Sequence, residues 1–318
     1  MRVFVMTMPN FLLIGAAKCG TTSCYHYLEQ HPQVYLSPVK EPMFFVLQGR
    51  QDTLAPRISR RNRGNVCYDR TSYVKLFEGV RGESAVGEAS VQYFHSSRAP
   101  DSIKKAIPNV KLIAILRDPS ERAWSSYLMS LRNGTEYIRD FWGAVQAELG
   151  QEGSKLAWWQ KRNNIGIGFY FKHLRRYYDR FQKEQIKVYL LDDLKNNPKG
   201  FMTDIFHFLG VDMSFEPDLS KKYQVEKLPG GLFGRWMFSL YSSPLKNFAG
   251  SCLPAKFRDG FRLKMEQKFF KRAPALDPGV RRRLVSIFRD DIEKLEKLLN
   301  RDLSHWLAGT DKRGKNRP

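Results

Sequence analysis

The sequence predicts one α/β domain, built on a central parallel sheet flanked by helices. Short apolar runs alternate with helical segments along most of the 318 residues, and this alternation is typical of parallel sheets. One of the runs ends in a glycine-rich loop that leads into a helix, as in P-loop-like domains. The chain is 42% hydrophobic and 13% aromatic, which is sufficient to bury a core of that size.

The first predicted strand covers residues 11–14, which are apolar and stop at Gly15. A helix is predicted over 21–30, because His31-Pro32 prevents its continuation. Residues 34–36 form a second short strand. Residues 48–72 are polar and weakly periodic, so we predict a loop or insertion there.

The segment 110–133 predicts a strand followed by a capped helix. Residues 110–116 are apolar, Asp118 and Glu121 have the spacing of a capping box, and Pro119 occupies the first helical position. We expect Trp124, Tyr127, Leu128 and Leu131 to face the core, which leaves Arg122, Ser125 and Ser126 to face a cleft. The later predictions are helices at 169–181 and 198–209, a strand at 186–191 and a long helix beginning at 277–278.

We expect a single domain over residues 1–318. Its core covers about 10–215 and 277–305, and a basic lid or loop region covers about 220–273. The part from 231 to 273 combines aromatic residues with many lysines and arginines. We interpret it as a solvated lid over an anionic ligand; a face for membranes or nucleic acid is the alternative.

The glycine-rich loop differs from the loop of ATP-binding proteins in one position. Gly15 and Gly20 have the separation found in G-x-x-x-x-G-K-[ST], but the lysine is Lys18, inside the loop. Backbone N–H groups and hydroxyls at a helix N-terminus favour anions because of the helix dipole. We therefore predict an anion site made of Gly15, Lys18, Cys19, Gly20, Thr21, Thr22 and Ser23.

The position of Lys18 favours an anion that is more compact than a triphosphate. In ATP enzymes the lysine reaches the β and γ phosphates, and the next Ser or Thr holds Mg²⁺. A 5′-phosphosulfate is such a compact group, and its sulfuryl group needs less neutralisation by metal. Asp118 is better explained as a helix cap than as a magnesium ligand, so no metal site is predicted.

A second anion pocket is predicted at Arg117 and Ser125. Arg117 follows a strand, and Ser125 lies two turns along the next helix. A guanidinium fork and a hydroxyl suit a phosphate dianion. Two such pockets fit 3′-phosphoadenosine 5′-phosphosulfate (PAPS), which would leave as 3′,5′-adenosine bisphosphate (PAP).

Two stretches resemble the cofactor motifs of PAPS-dependent sulfotransferases. GAAKCGTTSCYHYLEQHPQV is similar to their 5′-phosphosulfate loop, and LRDPSERAWSSY is similar to their 3′-phosphate motif, with Arg117 and Ser125 at the matching positions. The similarity covers most of residues 10–215 and includes KEPMFF, GEASVQYF, GFYFKHLRRYYDRF and FHFLGVD. Heparan sulfate and carbohydrate sulfotransferases, with their bacterial relatives, are the most similar type.

The resemblance implies roles for individual residues. In heparan sulfate O-sulfotransferases the glutamate of the KE motif is the general base on the acceptor hydroxyl, and here it is Glu41. Lys18 then stabilises charge on the departing phosphate oxygen during in-line, metal-independent transfer. Glu88 and His95 are alternative bases. Acceptor-side contacts are expected from Lys40, Met43, Glu88 and His95.

Some positions depart from the family pattern. The family often has histidine at Met43 and lysine at Ala89, and the loop YQVEKLPGG at 223–231 replaces a cofactor-binding sequence. A polyanionic glycosaminoglycan acceptor is therefore less expected than a small hydroxylated natural product, a simple carbohydrate or a glycolipid.

The net charge of +21, from 53 Lys and Arg against 32 Asp and Glu, favours anionic ligands. Two other functions are consistent with the residues: an ATP-dependent P-loop kinase, and a basic non-enzymatic protein that binds nucleic acid or membrane. Under the sulfotransferase interpretation we expect no nucleic-acid partner and no peripheral membrane contact.

The cysteine pattern and the N-terminal sequence predict a cytoplasmic protein. Cys19, Cys24, Cys67 and Cys252 show no metal or disulfide spacing. No apolar run approaches the roughly 18 residues of a membrane span. The apolar N-terminus continues directly into the glycine loop, so its removal as a signal would destroy the site.

Overall fold

Five parallel strands form a central sheet within the residues that this computed structural model describes, which are 7–50, 66–133, 135–151, 163–221, 227–229, 270–272 and 274–308. The strands are β1 (Phe11–Gly15), β2 (Val34–Leu36), β3 (Ala85–Ala89), β4 (Lys111–Leu116) and β5 (Ile186–Leu190). Their order across the sheet is β2-β3-β1-β4-β5. The predicted α/β class with a parallel sheet is confirmed.

The central strand β1 is apolar at every position before its glycine, because both faces of a parallel sheet are covered. Its first four residues have no exposed surface. Leu12 lies opposite Glu88 of β3 on one side and Leu112 of β4 on the other.

Helices connect the strands and cover the sheet. They are α1 (Thr21–Leu28), α2 (Phe44–Leu47), α3 (Arg70–Lys75), α4 (Gln92–His95), α5 (Ala99–Ala106), α6 (Pro119–Asn133), α7 (Phe141–Leu149), α8 (Tyr170–Tyr178), α9 (Leu191–Asn196), α10 (Pro198–Leu209), α11 (Pro278–Leu299) and α12 (Ser304–Leu307). The five predicted helices correspond to α1, α6, α8, α10 and α11. Of these, α1 and α8 end before the predicted residues.

Side-chain caps produce the predicted starts of α6 and α11. Asp118 Oδ1 accepts a hydrogen bond from the backbone N–H of Ser120 at 2.9 Å, and Asp277 Oδ1 accepts one from Val280 at 2.9 Å. These bonds satisfy donors that have no partner within the helix. At its other end, α10 stops at Gly210, which has a φ of 80°.

Two short helices replace predicted loop or strand. α3 begins within the predicted loop 48–72 and ends three residues beyond it. Its first turn is capped by Asp69, which accepts from the N–H of Ser72 at 2.8 Å. β5 ends one residue earlier than predicted. The Asp193 carboxylate accepts from the N–H of Leu190 at 2.8 Å, and this bond starts α9 at the next residue.

The long helix α11 packs on α8 and buries an apolar stripe. Leu284, Phe288, Ile292 and Leu295 are buried, whereas Leu299 is only partly buried. Asp291 also accepts hydrogen bonds from the first turn of α8. Helix α11 is therefore fixed to the sheet domain.

The two ends of the predicted basic region meet. β6 (Lys227–Pro229) and β7 (Phe270–Arg272) pair as antiparallel strands. Residues 222–226 and 230–269, which include most of the predicted lid and of the loop 223–231, lie outside the described residues, so the predicted division of the domain stays a prediction.

Candidate active site

The carboxyl ends of β1, β3 and β4 lie side by side, because these strands are neighbours in the sheet. β1 leads into the glycine loop, residues 15–20, and β4 leads into Arg117. The segment 37–43, called here the Glu41 segment, is bonded to the end of β3: the N–H of Glu41 donates to the carbonyl oxygen of Ala89 at 2.9 Å. The structure thus brings the predicted loop, Arg117 and Glu41 to the edge where ligands bind in this fold class.

Packing explains why the loop has a glycine at each end. A Cβ on Gly15 would lie 2.6 Å from the Cβ of Phe94, and a Cβ on Gly20 would lie 2.7 Å from Cδ1 of Leu191. Gly20 also has a φ of 88°, in the left-handed region, and it is the N-cap of α1. The tight turn leads the chain directly into the N-terminus of α1, which carries Thr21, Thr22 and Ser23.

Strained backbone is concentrated at this edge. Among the described residues other than glycine, positive φ values occur at Lys18 (68°), Glu41 (63°), Met43 (55°) and Asn300 (48°). Asn300 ends α11, whereas the other three belong to the glycine loop and the Glu41 segment. Such conformations are unfavourable for residues with a Cβ, and they cluster at functional sites.

Lys40 connects the first turn of α1, directly after the glycine loop, to Glu41. Its Nζ donates to Thr22 Oγ1 at 2.9 Å and lies 3.8 Å from Glu41 Oε1. Burial raises the pKa of Glu41 above that of an ordinary carboxyl, and the charge of Lys40 partly offsets this. A raised pKa makes Glu41 a stronger base. Lys40 thus contacts the first turn of α1, and its predicted contact with an acceptor stays a prediction.

Glu88 is completely buried at the end of β3. Its carboxyl group accepts hydrogen bonds from the hydroxyls of Tyr73 at 3.2 Å, Tyr93 at 2.6 Å and Ser90 at 2.8 Å. Burial raises the pKa of Glu88 to about 7, although the three hydroxyls oppose the shift. The Ser90 hydroxyl also accepts from the N–H of Met43 at 3.1 Å. Glu88 therefore supports the Glu41 segment, and its role as a base or an acceptor contact stays a prediction.

Met43 and His95 also make contacts within the protein, and their acceptor contacts stay predictions. Met43 is buried and is the N-cap of α2. The ring of His95 lies 6.3 Å from that of His173, and its carbonyl accepts from Arg176, so its contacts are with α8. Burial, with the nearby charges of His173 and Arg122, lowers the pKa of His95 to about 3. A group with so low a pKa is a poor base at neutral pH.

Arg117 is tied to the glycine loop by Tyr170, a residue that the sequence reasoning missed. The Tyr170 hydroxyl donates to the carbonyl oxygen of Arg117 at 2.7 Å and lies 3.8 Å from Cys19 Sγ. Burial raises the pKa of the Cys19 thiol, so Cys19 offers its backbone N–H rather than a thiolate. Ser125 is fully buried on α6.

The prediction that Arg122 faces a cleft is wrong. Arg122 has no exposed surface and donates to the carbonyl oxygen of Asn164. Its charge acts on Cys19 of the glycine loop and on Glu148, which accepts three backbone N–H groups at the start of the turn before α8. Periodicity alone does not show this, because the partners are distant in sequence.

The described residues also bear on metal binding and on membrane insertion. No group of three or more His, Cys, Asp or Glu is placed to hold a metal ion among these residues. Within the same residues, no helix combines the length and apolarity that a membrane span needs.

The chain matches the sulfotransferase domain family over residues 8–228. It belongs to the sulfotransferase family. This confirms the resemblance drawn from the two cofactor motifs and the predicted class of enzyme.

Curated and solved proteins agree with the family. Human bifunctional heparan sulfate N-deacetylase/N-sulfotransferase 3 is 27% identical over 94% of this chain and 31% of its own length. Human carbohydrate sulfotransferase 15 is 28% identical over 64% of this chain and 44% of its own length. The chain thus spans less than half the length of these relatives. The crystal structure of a sulfotransferase from Alicyclobacillus acidocaldarius has a TM-score of 0.68 and 29% identity, over 95% of this chain and 100% of that chain.

Proposed function

We propose that this protein transfers a sulfuryl group from PAPS to an acceptor hydroxyl, with Lys18 and Glu41 as catalytic residues. The observation that carries the proposal is Lys40, which hydrogen-bonds Thr22 of the loop–helix junction and lies 3.8 Å from Glu41. This contact supports the proposal, because it would hold a cofactor loop and a carboxylate base together at the edge of the sheet where ligands bind in this fold class.

The residues at this edge fit PAPS. Backbone N–H groups of residues 19–23, at the N-terminus of α1, would hold the 5′-phosphosulfate together with Lys18. Arg117, at the end of β4 and 20% exposed, would hold the 3′-phosphate with Ser125. PAPS supplies an activated sulfuryl group; the protein orients it and provides the base.

Glu41 and Lys18 would supply the base and the stabilising charge that the transfer requires. Glu41 accepts the proton of the acceptor hydroxyl as the acceptor oxygen forms a bond to sulfur. The bond between sulfur and the 5′-phosphate oxygen breaks, and its electron pair stays on that oxygen. Lys18 and the backbone N–H groups stabilise the new negative charge, which is greatest after the bond begins to break. PAP and the sulfated acceptor leave.

We propose a carbohydrate-type hydroxyl as the acceptor, because the names of the relatives refer to heparan sulfate and carbohydrates; a small hydroxylated natural product is the alternative. Since the relatives that match 94% of this chain are named N-sulfotransferases, an amine acceptor is a second candidate. A cytoplasmic location belongs to this proposal and is supported by the cysteine pattern, which lacks disulfide spacing.

A transfer assay with sulfur-labelled PAPS tests the proposal. Wild type is incubated with simple sugars, amino sugars and hydroxylated metabolites in EDTA, and in parallel with labelled ATP and Mg²⁺. We expect label from PAPS on a hydroxyl acceptor; label on an amino sugar nitrogen supports the second candidate. Transfer only from ATP, abolished by EDTA, supports a kinase and contradicts the proposal.

Matched variants separate catalysis from general effects of charge. Lys18→Ala and Glu41→Gln are expected to lose most of the transfer. The controls Lys199→Ala and Glu216→Gln remove a lysine and a glutamate that pair with each other at 3.1 Å on the surface, where both are more than 70% exposed, and they should retain activity. Salt-sensitive polyanion binding that Lys18→Ala leaves intact, without transfer, would instead support a nucleic-acid or membrane-binding protein.

A further inference from the structure

The long helix α11 places a buried arginine beside the start of α6. Arg281 is 4% exposed, and its Nη2 lies 2.5 Å from Asp118 Oδ2. Nη1 lies 3.8 Å from Glu121 Oε1, and Nη2 is also 3.4 Å from the carbonyl oxygen of Trp306. A guanidinium with these contacts has one position and little freedom.

One of these carboxylates, that of Glu121, also reaches Arg117. Glu121 Oε2 lies 3.5 Å from Arg117 Nη2, while its other oxygen faces Arg281. Four charged groups therefore form one cluster, in which Asp118 and Glu121 are negative and the two arginines are positive. The cluster is neutral only when Arg281 is included.

Neutrality matters if Arg117 binds a phosphate. A phosphate dianion that reaches Arg117 is repelled by two carboxylates on the adjoining turn of α6. Charge interactions at such distances are strong near a protein surface, because water screens them only partly. Without Arg281 the cluster would carry a net negative charge at the place where an anion must bind.

We propose that Arg281 is a positioning residue of the 3′-phosphate site, which neutralises Asp118 and Glu121 and so leaves Arg117 to bind the phosphate. The inference rests on the proposed use of PAPS. Arg281 also holds Asp118, the cap of α6, and α6 carries Ser125. The residues that support the 3′-phosphate site therefore include one on α11, which lies beyond the residues 8–228 that match the family.

The test measures how much the 3′-phosphate contributes to binding. Affinities of the full chain for PAP and for adenosine 5′-phosphate, which lacks the 3′-phosphate, are determined by calorimetry, and their ratio is compared between variants. We expect Arg281→Met to lower this ratio about tenfold or more. Arg281→Lys should preserve most of it, and Arg289→Met, which removes an exposed arginine of the same helix paired with Glu293, should not change it.

A second pair of variants keeps the test valid if Arg281→Met does not fold. Glu121 is 36% exposed, and Glu121→Gln removes one opposing charge, so the ratio should rise. Adding Glu121→Gln to Arg281→Met should restore part of the lost ratio. A ratio that is unchanged in folded Arg281→Met, or that does not rise in Glu121→Gln, overturns the proposed role of Arg281 and leaves the proposed cofactor unaffected. If wild type does not prefer PAP to adenosine 5′-phosphate, both this inference and the proposed cofactor are wrong.

Discussion

Replacing Lys40 by methionine should shift the pH dependence of catalysis. Lys40 carries the positive charge 3.8 Å from the carboxylate of Glu41. That charge lowers the pKa of Glu41, which burial otherwise raises. Its removal therefore raises the pKa of the base, and Glu41 remains protonated and inactive up to a higher pH.

The size of the shift follows from the distance and the exposure. A pair of unit charges about 4 Å apart interacts by about 1 kcal/mol in bulk water and by about 4 kcal/mol at an effective dielectric constant of about 20. Because the two side chains are 25% and 31% exposed, the lower part of this range applies. A loss of about 1.4 kcal/mol corresponds to about one pH unit.

The assay is the pH profile of kcat/KM for the acceptor, at saturating PAPS. In Lys40→Met we expect the acidic limb to move upward by about one pH unit. Lys40→Arg should restore most of the wild-type profile. Lys199→Met, which breaks an exposed lysine–glutamate pair, should leave it unchanged. An unshifted acidic limb in active Lys40→Met would refute the assignment of Glu41 as the titrating base.

Three other perturbations are predicted. Glu88 has a pKa of about 7 in the folded protein against 4.5 for an ordinary glutamate, so its contribution to the stability falls as pH rises from 4.5 to 7. The melting temperature of Glu88→Gln should therefore decrease less over that pH range than the melting temperature of wild type. An identical decrease in the two proteins would contradict this. Tyr170→Phe removes the 2.7 Å hydrogen bond to the Arg117 carbonyl oxygen. This loss should lower the free energy of unfolding by about 1 kcal/mol and raise the KM for PAPS. If both values stay unchanged, Tyr170 does not position Arg117. Gly20→Ala places a Cβ 2.7 Å from Leu191 at a left-handed φ, so calorimetry should detect little PAP binding, and wild-type affinity would show that the loop tolerates a side chain.

The elements that sequence predicts best are those whose signals are local. The apolar run before Gly15, the cap at Asp118 and the proline and glycine that bound α10 are short-range features, and each lies where expected. The short helices α3 and α9 escaped prediction. Each is a single capped stretch of six residues, too short for its periodicity to be legible.

The sequence predicts individual residues of the candidate site but not the contacts between them. Lys18, Glu41 and Arg117 belong to motifs, so sequence singled them out. The contacts that support them join distant segments: Tyr73 and Tyr93 converge on Glu88 from different helices. Glu88 was predicted as an acceptor contact because a sequence shows a carboxylate without showing its burial.

The position of Lys18 inside the loop follows from the packing around it. On one side, Ala16 is buried and donates its N–H to the carbonyl oxygen of Ile115 at 2.8 Å. On the other, Cys19 is buried against Tyr170. Lys18 lies between these two anchored residues, is partly exposed and has a left-handed backbone. A lysine after Gly20 would instead occupy the place of Thr21, which is buried in the first turn of α1. Position 18 therefore accommodates a lysine better than position 21 does.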